Sequence, residues 1–528
     1  MISDWQGVVG SRTAPEAVVV VGAGPAGLAL ARRLAAHGRD VVLVESGDDV
    51  SVGAVGGPRS EDLNTGVVTG LPYPGLGQGR TRVIGGAGQL WHGQCMRLQP
   101  LDLERRDWVA HSGWPLDLAE LDRFYPEAER WLGVSGRGYD AERWREHPGL
   151  APLAWDDRRL LHDFTEYAPR PMLGVEHRRA LVDDPRIQVF VNSTVTRVLT
   201  GPTGVAGVEV AGPDGSRACI TSRTVVLSGG AIENARLLQL SDPAGVGIGD
   251  GRDHVGRFLQ DHPVVTTAEV RTTDFRVLQD RYLALHRGPR KLYPKVRLAP
   301  SAQRGHRLVN ATAVFVHEHE RPEGDAVRRV LEAVRTRRVR RGLGRDLAHS
   351  LTAVGPVARD AYRRAIRGLA TGARPTRVSL QVWLEQEPDP DSRTGLATET
   401  DALGLRRAEV HWRVGEREIE TSRVMTRWIG ADLARLGVAE VLESEAMHDD
   451  DAWRRTVRDA YHPAGTTRMS SSPADGVVDA DLEVHGVRGL YVVGSSVFPV
   501  CGYANPTLTI VALALRLGER LAKAGSDR

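Results

Sequence analysis

The segment AVVVVGAGPAGLALARRLAAHGRDVVLVES, residues 17–46, constrains the fold more than any other part of the chain. Val18–Val21 is apolar without interruption, the pattern of a strand covered on both faces. Leu28, Ala31, Leu34 and Ala35 then share one helical face, with Arg32, Arg33 and His37 elsewhere. Between strand and helix, Gly22, Gly24 and Gly27 spell G-x-G-x-x-G. The first glycine permits a tight turn, the second lets backbone amides approach a pyrophosphate, and the third allows the helix to pack closely on the strand. Glu45 ends the second strand 18 residues beyond Gly27, where a carboxylate binds both hydroxyls of a ribose and repels a 2′-phosphate. Strand, turn, helix and acid in this register predict a βαβ unit for a dinucleotide, without distinguishing a nicotinamide from a flavin.

A chain of 528 residues exceeds a single hydrophobic core, so two domains or one large discontinuous pair are expected. Residues 225–241, VVLSGGAIENARLLQLS, repeat the strand, small-residue turn and helix. Residues 116–132 read as one amphipathic helix, and 186–198, 205–210 and 223–227 as strands of a meander. In RVSLQVWLEQE, residues 377–387, Val378, Leu380, Val382 and Leu384 alternate with Ser379, Gln381, Trp383 and Glu385, which predicts a half-exposed antiparallel strand. Residues 416–436 read as a helix, 490–493 as a short strand and 506–524 as a terminal helix. The run AVRRVLEAVRTRRVRRGLGRDL, 326–347, reads either as a solvated helix or lid, or as a docking site for an anionic partner.

Formal charge is close to balance at +2, which gives no long-range field for nucleic acid or an anionic membrane. Cys95, Cys219 and Cys501 are odd in number and far apart, in neither a disulfide framework nor a metal-ligand spacing, so a reducing compartment and no metal are expected. There is no basic region followed by an apolar run at the N-terminus, and no membrane-length apolar stretch. The expectation is a cytoplasmic protein without membrane insertion.

Four further blocks carry a resemblance. They are GRTRVIGGAGQLWHGQC at 79–95, containing R-x-x-G-G-x-G-x-x-W from Arg82 to Trp91; VVLSGGAIENARLL at 225–238; HPAGTTRM at 462–469; and the stretch from Gly476 through GSSVFPVCGYANPTLTI to Arg516. Together with the glycine turn, these resemble the glucose-methanol-choline (GMC) family of FAD-dependent oxidoreductases, in its pyranose oxidase or glycoside oxidase-like branch. The resemblance implies an α/β FAD-binding Rossmann-like domain and an α+β substrate domain built on an antiparallel sheet. The expected division is 14–112, 183–262 and 455–528 for FAD, and 113–182 and 263–454 for substrate, with a lid or insertion at about 318–375. It also implies that Arg82, Gly86, Gln89 and Trp91 contact the cofactor, that the Val195 backbone meets the adenine, that Gly494 and Ser495 lie near the pyrophosphate, and that Pro506 and Thr507 start a helix beneath the flavin. Pyranose oxidases attach FAD through a histidine immediately before the motif tryptophan; this chain has Leu90 there, so FAD is expected to be non-covalent, with His92 a neighbour of the site at best.

The same resemblance implies a catalytic pair at His462 and Asn505. Oxidising a carbinol requires loss of the hydroxyl proton and delivery of hydride to flavin N5; an imidazole suits the proton transfer, and a carboxamide can hold the developing alkoxide. By themselves, the residues equally describe a turn histidine and an asparagine N-cap. Gln381, Trp383 and Glu385 share one face of a strand that, in such a fold, roofs the flavin, and their groups suit a polyhydroxylated ring; a merely exposed face is the alternative. The expected activity is oxidation of a carbinol of a sugar, glycoside or aminoglycoside-like metabolite, with oxygen, a quinone or a redox protein as electron acceptor. The alternatives are a sterol, aryl or choline-like alcohol, or a non-catalytic flavin-binding electron relay.

Overall fold

The computed structural model describes residues 2–10, 15–53, 55–245, 247–249, 252–319, 360 and 362–526. The arginine-rich run at 326–347 and most of the expected lid lie outside the described residues. Val18–Val21 and Val41–Val44 pair in parallel at the middle of a six-stranded sheet ordered Ile2–Ser3, Ile187–Phe190, Val41–Val44, Val18–Val21, Val225–Leu227, Leu490–Val492. The sheet is parallel throughout, and its central valines and leucines are buried, as the apolar runs require, except Val21, which is half-buried where its strand ends at the cavity. Leu490–Val492 reaches this sheet from the far end of the chain, and the C-terminal helix Thr507–Ser526 packs on the glycine-turn helix Pro25–Ala36. A side chain at Gly518 would run into Arg33 of that helix. The two ends of the chain therefore share one core.

A second sheet is antiparallel. Its order is Glu440–Glu443, Val264–Arg271, Arg377–Leu384, Ala311–Glu318, Arg290–Leu298, Leu160–Tyr167, Gln94–Cys95, with Leu285–Arg287 paired to Arg290–Leu298. One face is apolar: Val378, Leu380, Val382 and Leu384 pack with Ile419, Met425, Ile429 and Leu433 of the helix Glu416–Arg435. Ser379, Gln381 and Trp383 occupy the other face and look across at the parallel sheet. That face is not the half-exposed surface expected from alternation, since Ser379 is buried and the other two are half-buried.

Several local expectations are corrected. The helix expected over 116–132 is two, Leu118–Asp122 and Tyr125–Leu132. Pro126 has no N–H to return to the Asp122 carbonyl, so the turn cannot continue through it. Of the expected meander, Ile187–Phe190 and Val225–Leu227 are strands of the parallel sheet; the antiparallel meander is Thr194–Gly201, Gly204–Ala211 and Arg217–Thr221. The run breaks at Asn192, which takes φ +52° and donates its amide to Asp48. Ile2–Ser3, ahead of the expected FAD segments, forms the edge of the parallel sheet, and Gln94–Cys95 and Val67–Val68, from the expected FAD segments, pair with Leu160–Tyr167 and Arg406–His411 of the expected substrate segments.

Glu385 is the largest departure. Its strand ends at Leu384, and the next side chain turns into the core at 0% exposure instead of continuing the alternation. There its carboxylate accepts both terminal nitrogens of Arg106 and the backbone N–H of Asn310 at 2.9 Å. Glu385 is thus half of a buried ion pair and not a substrate contact. Removing one partner of such a pair leaves the other charge buried and uncompensated, which costs about 3–5 kcal/mol. Glu385→Gln and Arg106→Met are each expected to lower the urea midpoint by about that free energy, whereas the double replacement Glu385→Leu/Arg106→Met recovers much of it; equal midpoints for the single and double variants would contradict the assignment.

Candidate active site

A cavity of about 1260 Å³ lies between the C-terminal ends of the parallel strands and the polar face of the antiparallel sheet. This is larger than the about 300–1,000 Å³ of an ordinary small-molecule pocket, leaving room for a dinucleotide and a second ligand. The C-terminal edge of a parallel sheet is where helix N-termini and loop amides converge on ligands. Here Gly22, Gly24 and Pro25 form the floor, with Gly86 and the second turn Ser228–Gly229–Gly230 beside them. Gly22 has φ +98°, and a β-carbon there would touch the backbone of Ser228 and Gly229 at 3.0 Å. Gly27 does not line the cavity: a β-carbon would overlap the Gly22 carbonyl oxygen, so its role is close packing of helix on strand.

Glu45 lines the cavity and is buried. Its two oxygens accept backbone N–H groups, Oε2 from Ala23 at 2.9 Å and Oε1 from Gly47 at 2.8 Å. Burial nevertheless lifts its carboxyl above the usual range. Oε1 also accepts the Ser46 hydroxyl at 3.4 Å, whereas Oε2 retains a lone pair for a ribose hydroxyl. The glycine cradle, the helix N-terminus and this acceptor fit a dinucleotide without a 2′-phosphate. Val195, Gly494, Ser495, Pro506 and Thr507 also line the cavity.

The R-x-x-G-G-x-G-x-x-W block divides its work. Gly86, Leu90, Trp91 and His92 line the cavity, the Trp91 indole N–H donating to the Pro171 carbonyl. Arg82 also lines it, but its guanidinium is spent on protein: Nε to Asn64 at 2.9 Å, Nη1 to Ser46 at 3.0 Å, and Nη2 to Glu233 at 3.0 Å. Burial works against the charge of Glu233, but Arg82, Arg236 and Arg80 overcome it and hold the carboxyl well below its usual range. Arg80, which the sequence reading did not select, lines the cavity on the same acid at 2.7 Å. Gln89 is a correction: it lies outside the cavity lining and accepts the Gly174 N–H at 2.7 Å, tying the loop to the helix Leu173–Asp183.

His462 and Asn505 both line the cavity, together with Gln381 and Trp383 from the roof, Pro506, and Thr507 at the start of the C-terminal helix. His462 hangs from Asp261, whose carboxylate accepts its backbone N–H at 3.1 and 3.0 Å, the amides of Ala460 and His262, and the Tyr73 hydroxyl at 2.7 Å. Burial, and then the neighbouring Asp459, push the Asp261 carboxyl up to about 7. The His462 ring is pushed down to about 3, by burial first and then by the Lys295 ammonium and His92. It is therefore uncharged at neutral pH. Asn505 Oδ1 is buried with no hydrogen-bond partner among the described residues, so the side-chain oxygen caps no amide of the helix that follows it. Trp383 Nε1 is a second such orphan. Two unpaired buried polar atoms beside one neutral imidazole call for a polar ligand. Asp261, His262 and Lys295, all buried around His462, were not selected from sequence; the Asp-His-Pro at 261–263, echoing His-Pro at 462–463, was the available signal.

Residues 17–246 match the family model described as FAD dependent oxidoreductase, and residues 388–514 the one described as GMC oxidoreductase. The paromamine 6'-oxidase of Streptomyces fradiae is 26% identical, covering 96% of this chain and 91% of the relative. The C-glycoside 3-oxidase of Microbacterium trichothecenolyticum is 26% identical, over 83% of this chain and 75% of the relative. Among solved structures, a formate oxidase superposes with a TM-score of 0.59 at 18% identity, covering 98% of this chain and 100% of that one, and a fungal aryl-alcohol oxidase with the same score at 19%. With the cofactor-sized cavity at the strand ends and the two family matches in order, this chain is an FAD-dependent oxidoreductase that acts on alcohols, and its residues 388–514 carry the GMC oxidoreductase segment.

Proposed function

We propose that the chain oxidises a carbinol of a sugar, glycoside or aminoglycoside-like metabolite to the carbonyl, with His462 as base and Asn505 as the group that holds the oxygen. The observation that carries this reading is the pair of orphaned polar atoms, Asn505 Oδ1 and Trp383 Nε1, beside neutral His462 in one cavity. The single hydroxyl of a sterol, its proton given to His462, leaves Asn505 Oδ1 unpaired, whereas a ring bearing several hydroxyls satisfies it. The relatives named for paromamine and C-glycosides support the same substrate class.

The glycine turn, Glu45, the Val195 segment and the Gly494–Ser495 turn would hold FAD, non-covalently because Leu90 offers no attachment atom. When bound, FAD supplies the two-electron acceptor for the hydride lost by the carbinol carbon. The remaining work falls to the protein. His462 takes the hydroxyl proton as the carbonyl forms. The Asn505 carboxamide donates to the oxygen as charge develops on it, and its own oxygen accepts from an adjacent hydroxyl. Gln381 and Trp383 fix the face of the ring from above. Oxygen, a quinone or a redox protein then accepts the electrons in a second half-reaction.

Two outcomes check this reading. His462→Gln is expected to lower the rate of anaerobic flavin bleaching by glycosides about 10²–10⁴-fold, the range for losing a general base, while the protein purifies yellow; Asn505→Leu should fall by about 10²-fold. Unchanged bleaching in His462→Gln would end the assignment of the base. The second outcome concerns stability. The folded ring titrates near 3 and the unfolded one near its ordinary value, so below about pH 6.5 the unfolded state binds a proton that the folded state refuses. Stability attributable to His462 is therefore intact above about pH 6.5 and declines by about 1.4 kcal/mol per pH unit as pH falls toward the folded value. Urea denaturation at pH 7 and pH 5 should show His462→Gln losing about 2 kcal/mol less than the parent protein.

A further inference from the structure

The base proposed above has a histidine partner of its own. His462 Nδ1 and His262 Nδ1 stand 3.0 Å apart, with ring centroids at 5.0 Å and planes at 75°. At that separation one nitrogen must donate and the other accept, and which does so decides where the His462 lone pair lies. The surroundings of His262 settle the direction. Its ring is 1% exposed and hydrogen-bonds the backbone carbonyl of Cys501, an oxygen that can only accept. Because His262 Nδ1 is taken up against His462 Nδ1, that carbonyl is left to Nε2; a neutral His262 then carries its proton on Nε2 and turns a lone pair on Nδ1 toward His462.

The backbone holds the two rings in this relation. Residues 260–264 and 458–464 run antiparallel, bonded reciprocally between Gln260 and Ala464 at 3.0 and 2.9 Å and between Val264 and Arg458 at 2.8 and 3.0 Å. Asp261, between those rungs, accepts the amide N–H of both histidines. Each histidine also precedes a proline, Pro263 or Pro463, which disfavours helical backbone at the histidine. The longer arm turns outward at Tyr461, φ +61°, and carries His462 to the cavity, while His262 stays behind it.

We propose that His262 is a positioning residue that accepts the Nδ1 proton of His462 and so fixes the tautomer in which His462 Nε2 is the base. This rests on the reading of His462 as base. It assigns His262 no contact with substrate or cofactor. An unconstrained imidazole would place its proton on either nitrogen, and a base held in the wrong tautomer is severely impaired: in the serine proteases that error alone costs about 10⁴ in kcat.

Two replacements separate this role from mere packing. In His262→Asn, the side-chain oxygen occupies the place of Nδ1 and preserves the acceptor; in His262→Leu the volume is largely kept and the acceptor is lost. With FAD-loaded protein, His262→Asn is expected to keep kcat within about threefold and His262→Leu to lose about 10- to 100-fold, both with KM and flavin content unchanged. Histidine-selective 15N NMR, assigned by the difference between parent and His462→Gln, reads the tautomer directly. His462 should show an unprotonated Nε2 and a protonated Nδ1 in the parent and in His262→Asn, and a mixture in His262→Leu. A protonated Nε2 in the parent, or equal kcat for the Asn and Leu variants, would overturn the proposal. If His262→Leu fails to fold, the parent spectrum and His262→Asn still decide it. Full turnover by His462→Gln would instead overturn the base itself, whatever the spectrum showed.

Discussion

Three backbone hydrogen-bonded residues hold the active site together. Leu490–Val492 pairs with Val225–Leu227, which pairs with Val18–Val21, so a strand from the end of the chain completes the sheet begun near its start. The turn Gly494–Ser495 and the helix from Thr507 follow from that strand and are delivered to the cofactor cavity opposite Gly22 and Gly24. Burial secures the arrangement: Val18, Val225, Leu490 and Val492 are all fully enclosed in one core. The helix Thr507–Ser526, packed on Pro25–Ala36, ties the two ends of the chain a second time.

The second organising element is electrostatic. Asp261 collects four donors, three of them backbone amides and one the Tyr73 hydroxyl, from segments far apart in sequence. A buried carboxylate is costly unless so satisfied, and once satisfied it locks the groups that satisfy it. Those groups include the backbones of both His262 and His462. The Lys295 ammonium, buried on the cavity side of the roof sheet, sits 5.8 Å over the Trp383 ring, is itself pulled down to about 8 by burial, and helps keep protons off His462. The imidazole environment is thus set by charges on three separate elements: the 261 loop, the roof sheet and the 462 turn.

Much of the architecture is legible in local pattern. The glycine turn, the continuously apolar strands, the alternating roof strand and the terminal helix all express backbone and packing rules that operate within a few residues, and they form where those rules place them. The failures have a common cause. Glu385 continues the alternation in sequence but meets Arg106, a partner 279 residues away, and turns inward. Gln89 lies inside a cofactor motif and is occupied by Gly174. Residues 186–198 read as one strand because nothing local reveals that the first half joins a parallel sheet.

What the sequence by itself determined is the nucleotide cradle: strand, glycines, helix and Glu45 lie within 30 residues, and their chemistry depends only on spacing along one βαβ unit. It also determined which side chains of the roof strand share a face, because a strand has period two. Only the tertiary structure decided what surrounds His462, since the Asp261 carboxylate, the His262 ring and the Lys295 ammonium arrive from elements separated by more than 150 residues of chain. Through-space electrostatics and hydrogen bonding act over a few ångströms regardless of sequence distance, so the protonation state and tautomer of a buried imidazole are properties of the assembled fold.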